Sequence, residues 1–519
     1  MNTKTILFSA LSTILATSTA IAGHPVIYRI ETTKAEQTVH HFGASDAWSM
    51  QFAGLWPEAQ QNQVADWLFS TDNDTNGQPK GIGLSVWRFN LGAGSAEQGD
   101  AAQIQPSTRT ECLMRQDGTW DWSRQQGQRH FLHLAKERGV PHFLAFMNSA
   151  PVYFTANGLA TNTGRGSFIN LRSDQYGAFA SFAANALKGI EAHDSIHFDY
   201  FCPVNEPDGS WDWLGPKQEG SPATNREVAK VVKAMSRAFK KQRLSTKIMF
   251  NESSDLRCLF GLHDAGWQRG REVPAFFTKD STDTYVGDCY GTMPVIMAHS
   301  YWTNTPVSYM RQAREALRDS LRRYGVEYWQ TELCVMGNDE EIGGGSHYDF
   351  SMLTGLYIAR VIHHDLVYGN AASWSWWRSM GDDYRDGLIR VFSDDNWKTG
   401  RALPSKLMWC LGNYSRFVRP EAVRYDITAL DKDGKTVKDG DTEPYGIMAS
   451  AYKNTDGSWI VVAINYSEAT RLFRLEGVEG TWRMYRTSDA EGESLKPVGT
   501  TTGNTSLMPK SITTFVCGK

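Results

Sequence analysis

The stretch Phe201-Cys202-Pro203-Val204-Asn205-Glu206-Pro207 decides the reading of this chain. A short apolar strand runs into a turn between two prolines, and the turn carries an amide beside a carboxylic acid. A second stretch, Glu327-Tyr328-Trp329-Gln330-Thr331-Glu332-Leu333, again ends an apolar strand on a carboxylic acid. Each acid alone has a plain alternative. Glu206 suits the cap of a helix start, and Glu332 suits the end of a surface strand. Their places among the repeating elements of the chain carry more weight.

From residue 41 to about 403, short apolar runs alternate with longer amphipathic ones. Strands are expected at 41–47, 84–89, 143–147, 197–203, 247–251, 295–300, 327–331 and 371–376. Helical spacing of apolar residues falls between them, at 125–138, 175–190, 225–242, 307–324 and 350–367. Eight strand–helix units predict a (β/α)8 TIM barrel, whose chemistry sits at the C-terminal ends of its strands. Glu206 then ends the fourth strand and Glu332 the seventh. From about residue 409 the pattern changes to short alternating strands, among them 458–465 and 511–516, with a turn at Asp456-Gly457. The tail predicts a fused antiparallel β-sandwich, which the strand-like segment 26–39 joins. The expected domains are 1–22, 23–40 (added to the sandwich), 41–405 (barrel) and 406–519 (sandwich).

The chain has 519 residues, enough for a large barrel and an accessory module. Hydrophobic residues make up 41% and charged residues 21%, an ordinary globular balance rather than a disordered one. A net charge of −4 gives no basic excess for nucleic acid. The 18 Trp and 20 Tyr are a large aromatic load, suited either to a big core or to the flat faces of sugar rings. At the N-terminus, Lys4, an apolar run over 6–16 and Ala20-Ile21-Ala22 read as a signal peptide cleaved after residue 22, so the protein is expected to be exported, periplasmic or secreted. That run is too short to span a bilayer, and no stable membrane insertion is expected. Seven cysteines, at 112, 202, 258, 289, 334, 410 and 517, are odd in number and widely spaced. They read mostly as buried thiols, with one or two bridges open. No CxxC or His/Cys cluster points to a metal, and no cofactor is expected.

Two strand-end acids suit the retaining hydrolysis of a glycosidic bond. One carboxyl protonates the leaving oxygen while the other attacks the sugar, and they stand about 5–5.5 Å apart. The acid then needs a raised pKa and the nucleophile an ionised one. Arg88, ending the strand Val86-Trp87-Arg88-Phe89-Asn90, either holds Glu332 ionised or forms a structural ion pair in the barrel. The loop 208–219, with Trp211 and Trp213, either shapes a leaving-group subsite or packs as a lid.

The chain resembles glycoside hydrolase family 30 from about residue 41 to its C-terminus. The motifs run in the family's order: His41-Phe42-Gly43-Ala44-Ser45-Asp46-Ala47-Trp48, Trp87-Arg88-Phe89-Asn90-Leu91-Gly92, Asn148-Ser149-Ala150-Pro151, Asn205-Glu206-Pro207, Ala298-His299-Ser300-Tyr301-Trp302, Gln330-Thr331-Glu332 and Ser373-Trp374-Ser375-Trp376-Trp377-Arg378. The resemblance implies Glu206 as acid/base, Glu332 as nucleophile and Asn205 as the residue for the 2-hydroxyl. It implies Asp46 as a carboxylate for the sugar under attack, His299 and Tyr301 as neighbours of the nucleophile, and Arg88 as its partner. Trp374 and Trp377 are candidates for an aromatic floor; Trp48, Asn148, Trp211 and Arg378 are further substrate-binding candidates. A lone histidine normally reads as core, but Tyr301 two residues on faces the same way as His299.

Several family members carry Trp where this chain has Asn148. The Asn-Ser-x-Pro form looks like the branch that cleaves β-1,6-galactan, so the expected activity is that of an endo-β-1,6-galactanase acting on arabinogalactan side chains. Xylanase, β-1,6-glucanase and glucosylceramidase-like activities belong to sister branches. A non-catalytic carbohydrate-binding protein and a metal-dependent barrel hydrolase are the alternatives of other classes; the presence of both acids opposes the first, and the lack of a strand-end His-x-His pair the second. The expected partner is a polysaccharide or oligosaccharide, and the oligomeric state stays open.

Overall fold

The computed structural model describes residues 21–518, except 163, 165, 210–217, 337–338, 383–384, 396 and 438–445. Two sheets organise it. The first is parallel and follows the order Lys247–Ile248, Tyr200–Cys202, His142–Phe146, Val86–Asn90, His41–Ser45, Ala371–Gly381, Glu327–Glu332, Val295–His299 and Glu252–Ser253. Parallel neighbours need a crossover between them, and helices supply it. Because helices cover the outside, these strands are buried on both faces and read as nearly unbroken apolar runs.

Asn225–Gln242 shows how the crossovers form. Val228, Val231, Val232, Met235 and Phe239 recur at helical spacing and are buried. Thr224 and Glu227 make a capping box at its start, and Lys240 and Lys241 sit in its last turn.

The two ends of the sheet path, Lys247–Ile248 and Glu252–Ser253, are successive pieces of one segment, so the sheet curls round on itself. The sequence predicts one strand over 247–251; it is instead broken at Asn251, whose φ is +64°. Beyond the break, the Glu206 amide donates to the Glu252 carbonyl at 2.6 Å. The last strand also runs past its expected end to Gly381, and a hairpin of Gly387–Phe392 and Arg401–Pro404 is added beside it. This domain is (β/α)8-like.

Among the described residues the second sheet has nine strands and includes Ile21–Val39, a longer strand than the expected 26–39, between Ala422–Leu430 and Thr470–Glu476. Its pairings are antiparallel except that of Ile21–Val39 with Thr470–Glu476, which is parallel. Residues 1–20 lie outside the described residues, and Ile21 and Ala22 pair with Thr470 and Arg471. The tail does not begin as strand: Lys406–Ser415 is a helix, capped by Ser405. Strand Trp459–Asn465 is buried on both faces. Ile460, Val462 and Ile464 join the core shared with the first domain, while Val461 and Ala463 join a smaller one inside the second sheet. All seven cysteines are free thiols, so the expected bridges are not formed. Among the described residues no helix is long and apolar enough to cross a membrane.

Candidate active site

Glu206, Tyr301, Glu332 and Trp377 line one cleft of about 690 Å³ at the C-terminal ends of the parallel strands. Glu332 ends its strand and is 5% exposed. Its Oε1 accepts from the Tyr301 hydroxyl at 3.1 Å, and its Oε2 from Arg88 Nη1 at 3.0 Å. Glu206 follows its strand by a short turn and adopts φ +47°, a region that a side chain with a Cβ rarely enters. Its Oε1 lies 2.8 Å from His299 Nδ1, and the same nitrogen lies 3.6 Å from Glu332 Oε1. One oxygen of each carboxylate and one His299 nitrogen all fall within 4.8 Å of one another.

Beneath the cleft runs a buried layer that aims these groups. Arg88 is 1% exposed and divides its guanidinium three ways. Nη1 reaches Glu332, while Nη2 reaches Glu252 Oε2 at 2.5 Å and Asn205 Oδ1 at 3.2 Å. The guanidinium also stacks over Phe146, 3.5 Å from the ring centroid. Asn205 Nδ2 donates to Asn148 Oδ1 at 3.0 Å. Arg88 thus pairs with Glu332 and is also tied into the barrel by Glu252. The sequence reading misses Glu252. Its signal was faint, an acid in the motif-free run Asn251-Glu252-Ser253-Ser254, and only the broken strand turns it inward.

The other candidates divide. Trp48 and Trp377 meet edge to face across the cleft wall at 5.3 Å, and Arg378 joins the lining while pairing with Asp386 at 3.0 Å. Asp46 does not reach the cleft. It is fully buried, its Oδ1 takes the Asn90 amide at 2.7 Å, and its Oδ2 takes Gln128 Nε2 at 3.0 Å. Trp374 points away from the cleft and donates to Asp365 on helix Met352–Val367 at 2.9 Å. An aromatic floor of Trp374 with Trp377 is therefore not formed: the two stand an odd number of residues apart on one strand and face opposite ways. Trp211 and Trp213 lie outside the described residues. Trp302, Trp397 and Asp382 line the cleft without having been singled out, because each follows a strand on a loop whose course no local pattern predicts.

Burial and like charge push the Glu332 carboxyl up to about 7: desolvation is the largest cause, Glu206 and Glu252 add to it, and His299 and Arg88 oppose it. This differs from the expectation that the nucleophile's carboxyl stays low, because Glu332 is buried and faces two other acids. Burial opposes the charge on His299, but Glu332 and Glu206, with a smaller contribution from Glu252, raise it. Asp46 is raised to about 7 by burial.

A family model for O-glycosyl hydrolase family 30 matches residues 25–390. The chain belongs to that family. It is therefore a glycosidase, and the cleft with its two facing carboxyls is the place where such chemistry fits. A family relative, an endo-β-1,6-galactanase of Hypocrea rufa, is 28% identical over 262 residues, which cover 47% of this chain and 53% of that protein. The match thus spans about half the length of that relative. Among solved structures, a conserved exported protein from Bacteroides fragilis is 30% identical with a TM-score of 0.86, over 94% of this chain and 100% of the other. The catalytic domain of the family 30 xylanase C from Talaromyces cellulolyticus shares the fold at 21% identity and a TM-score of 0.67, over 95% of this chain and 100% of that one.

Proposed function

We propose that this family 30 glycosidase is a retaining endo-β-1,6-galactanase of arabinogalactan side chains, with Glu332 as nucleophile and Glu206 as general acid/base. The observation that carries the mechanism is the spacing. One oxygen of each carboxylate lies within 4.8 Å of the other, which suits the spacing of about 5–5.5 Å in a retaining pair better than the roughly 6.5–9.5 Å at which an inverting pair seats its water. Glu332 attacks the anomeric carbon while Glu206 gives its proton to the leaving oxygen. Glu206 then takes a proton from water, which hydrolyses the glycosyl–enzyme and regenerates both groups. Arg88 and Tyr301 hold Glu332 in line for attack, and His299 orients Glu206. Asn205, held by Arg88 and Asn148, keeps spare capacity for a sugar hydroxyl. Asp46 acts at one remove, by fixing Asn90 and Gln128.

The choice of galactan rests on the Hypocrea rufa relative and on Asn148-Ser149-Ala150-Pro151. The curled sheet is read as a closed barrel over 41–405, and the second sheet as a sandwich built from 406–519 with 23–40. The chain is read as exported after removal of residues 1–22, which leaves the pairing of Val26–Arg29 with Phe473–Glu476 in place. The test is product analysis on de-arabinosylated type II arabinogalactan, β-1,6-glucan, glucuronoxylan and laminarin, run in excess EDTA. Oligosaccharides from the arabinogalactan alone are expected. Release only from glucan or xylan would overturn the substrate. Loss of all activity in EDTA would favour a metal held by Glu206, His299 and Glu332, the one cluster of suitable spacing among the described residues.

The raised Glu332 sets a pH dependence. The nucleophile must be an anion, so protonation removes activity, and kcat/KM is expected to fall about tenfold per unit as pH drops below about 7. Glu252→Gln removes a like charge beside Glu332 and frees Arg88 to pair with it. Both changes lower the Glu332 pKa, so the acidic limb should move to lower pH. The plateau should fall by up to about 10²-fold as Arg88 loses its anchor. A fall in rate with the limb unmoved would show Glu252 to be structural only.

A further inference from the structure

The cleft does not end at the two acids. On the Glu206 side, Gly209, Ser254 and Trp302 line both the cleft and a second concavity of about 630 Å³. Trp302 stands between the two. It is 43% exposed and adopts φ +58°, a backbone region rarely entered by a bulky side chain. Exposing a large ring and twisting its backbone both work against folding, so neither is explained by stability. Trp302 directly follows Tyr301, whose hydroxyl holds Glu332, and the two rings lie 5.6 Å apart.

The far wall is stiff and polar. Buried Asp255 caps helix Leu256–Phe260 and pairs with Arg257, and it lies 3.2 Å from His263 Nε2. Arg257 Nη1 also reaches the Tyr309 hydroxyl at 2.9 Å. Asp264 presents a carboxylate that is 97% exposed. A flat aromatic face, with charged donors and acceptors fixed around it, matches a hexose ring and its hydroxyls.

We propose that the concavity beyond Trp302 is a leaving-group subsite, in which the Trp302 ring stacks a neutral hexose on the reducing side of the scissile bond and Asp264 accepts from its hydroxyls. The proposal rests on Glu206 being the acid: the fragment that takes the proton must depart past Glu206, and this concavity opens there.

The test compares two substrates of the wild type and its variants: an oligosaccharide that the wild type cleaves, extended on the reducing side, and an aryl β-glycoside whose leaving group stops short of the concavity. Trp302→Ala should lower kcat/KM on the oligosaccharide about tenfold more than on the aryl glycoside. Trp302→Phe should recover most of that difference. Asp264→Ala, at an exposed side chain whose removal leaves the fold alone, should repeat the selective loss on a smaller scale. An equal fall on both substrates would overturn the proposal, since Trp302 would then act only through Tyr301. So would an unchanged rate on the oligosaccharide. The endo reading is judged separately: release of single units from the end of every substrate sinks it, while the subsite still stands or falls on the Trp302 ratio.

Discussion

Glu332→Ala is expected to lower kcat by roughly 10⁵-fold on any glycoside, because the covalent step then has no nucleophile. The surroundings make the result specific. Arg88 Nη1 and the Tyr301 hydroxyl both aim at the Glu332 carboxylate, so alanine leaves a buried cation and a buried hydroxyl facing an empty space. Azide is small and anionic enough to enter that space beside Arg88. It should restore turnover as an α-glycosyl azide, since a single displacement at a β-linked carbon inverts it. Glu332→Gln fills the space and should stay inactive with azide. Turnover of the alanine variant within tenfold of wild type would remove Glu332 from the mechanism.

Glu206→Ala should behave differently, and the difference separates the two acids. On a natural sugar leaving group, kcat/KM is expected to fall by about 10³–10⁴-fold, the upper range of what a positioned acid contributes. On an aryl glycoside with an acidic phenol the first step needs little protonation, so kcat/KM should fall far less. The glycosyl–enzyme then accumulates, because no base activates water. Azide should speed its release and give a β-glycosyl azide, the product of two inversions. His299 should report the same change: it loses the carboxylate at 2.8 Å that helps to raise its pKa. An upfield shift of its titration toward lower pH, followed by NMR, is the expected sign. A loss independent of the leaving group would show that Glu206 is not the acid.

Much of this was legible before any coordinates. Glu332 and His299 end their strands, Glu206 and Tyr301 follow theirs within a few residues, Arg88 lies within one, and eight strand–helix units place strand ends on one rim. Other features followed from contacts distant in sequence. Asp46 lies in the first motif, yet the carboxyl is spent on Asn90 and Gln128. Trp374 was separable from Trp377 by parity alone, but the side that faces the helices was decided by Asp365.

By itself, the sequence determined the parallel-sheet architecture, the strand inside the second sheet that comes from the N-terminal segment, and the two acids that face each other. It did so because apolar periodicity and short strand-end motifs are local, and local patterns survive in a linear text. Only the tertiary structure decided that Glu252 anchors Arg88, that burial raises the Glu332 carboxyl toward neutrality, and that Trp302 stands between two hollows. Those three depend on a broken strand, on the burial of three acids in one small volume, and on loops that no period describes. Each is a property of distances between segments far apart in the chain, and such distances exist only once the sheet has curled.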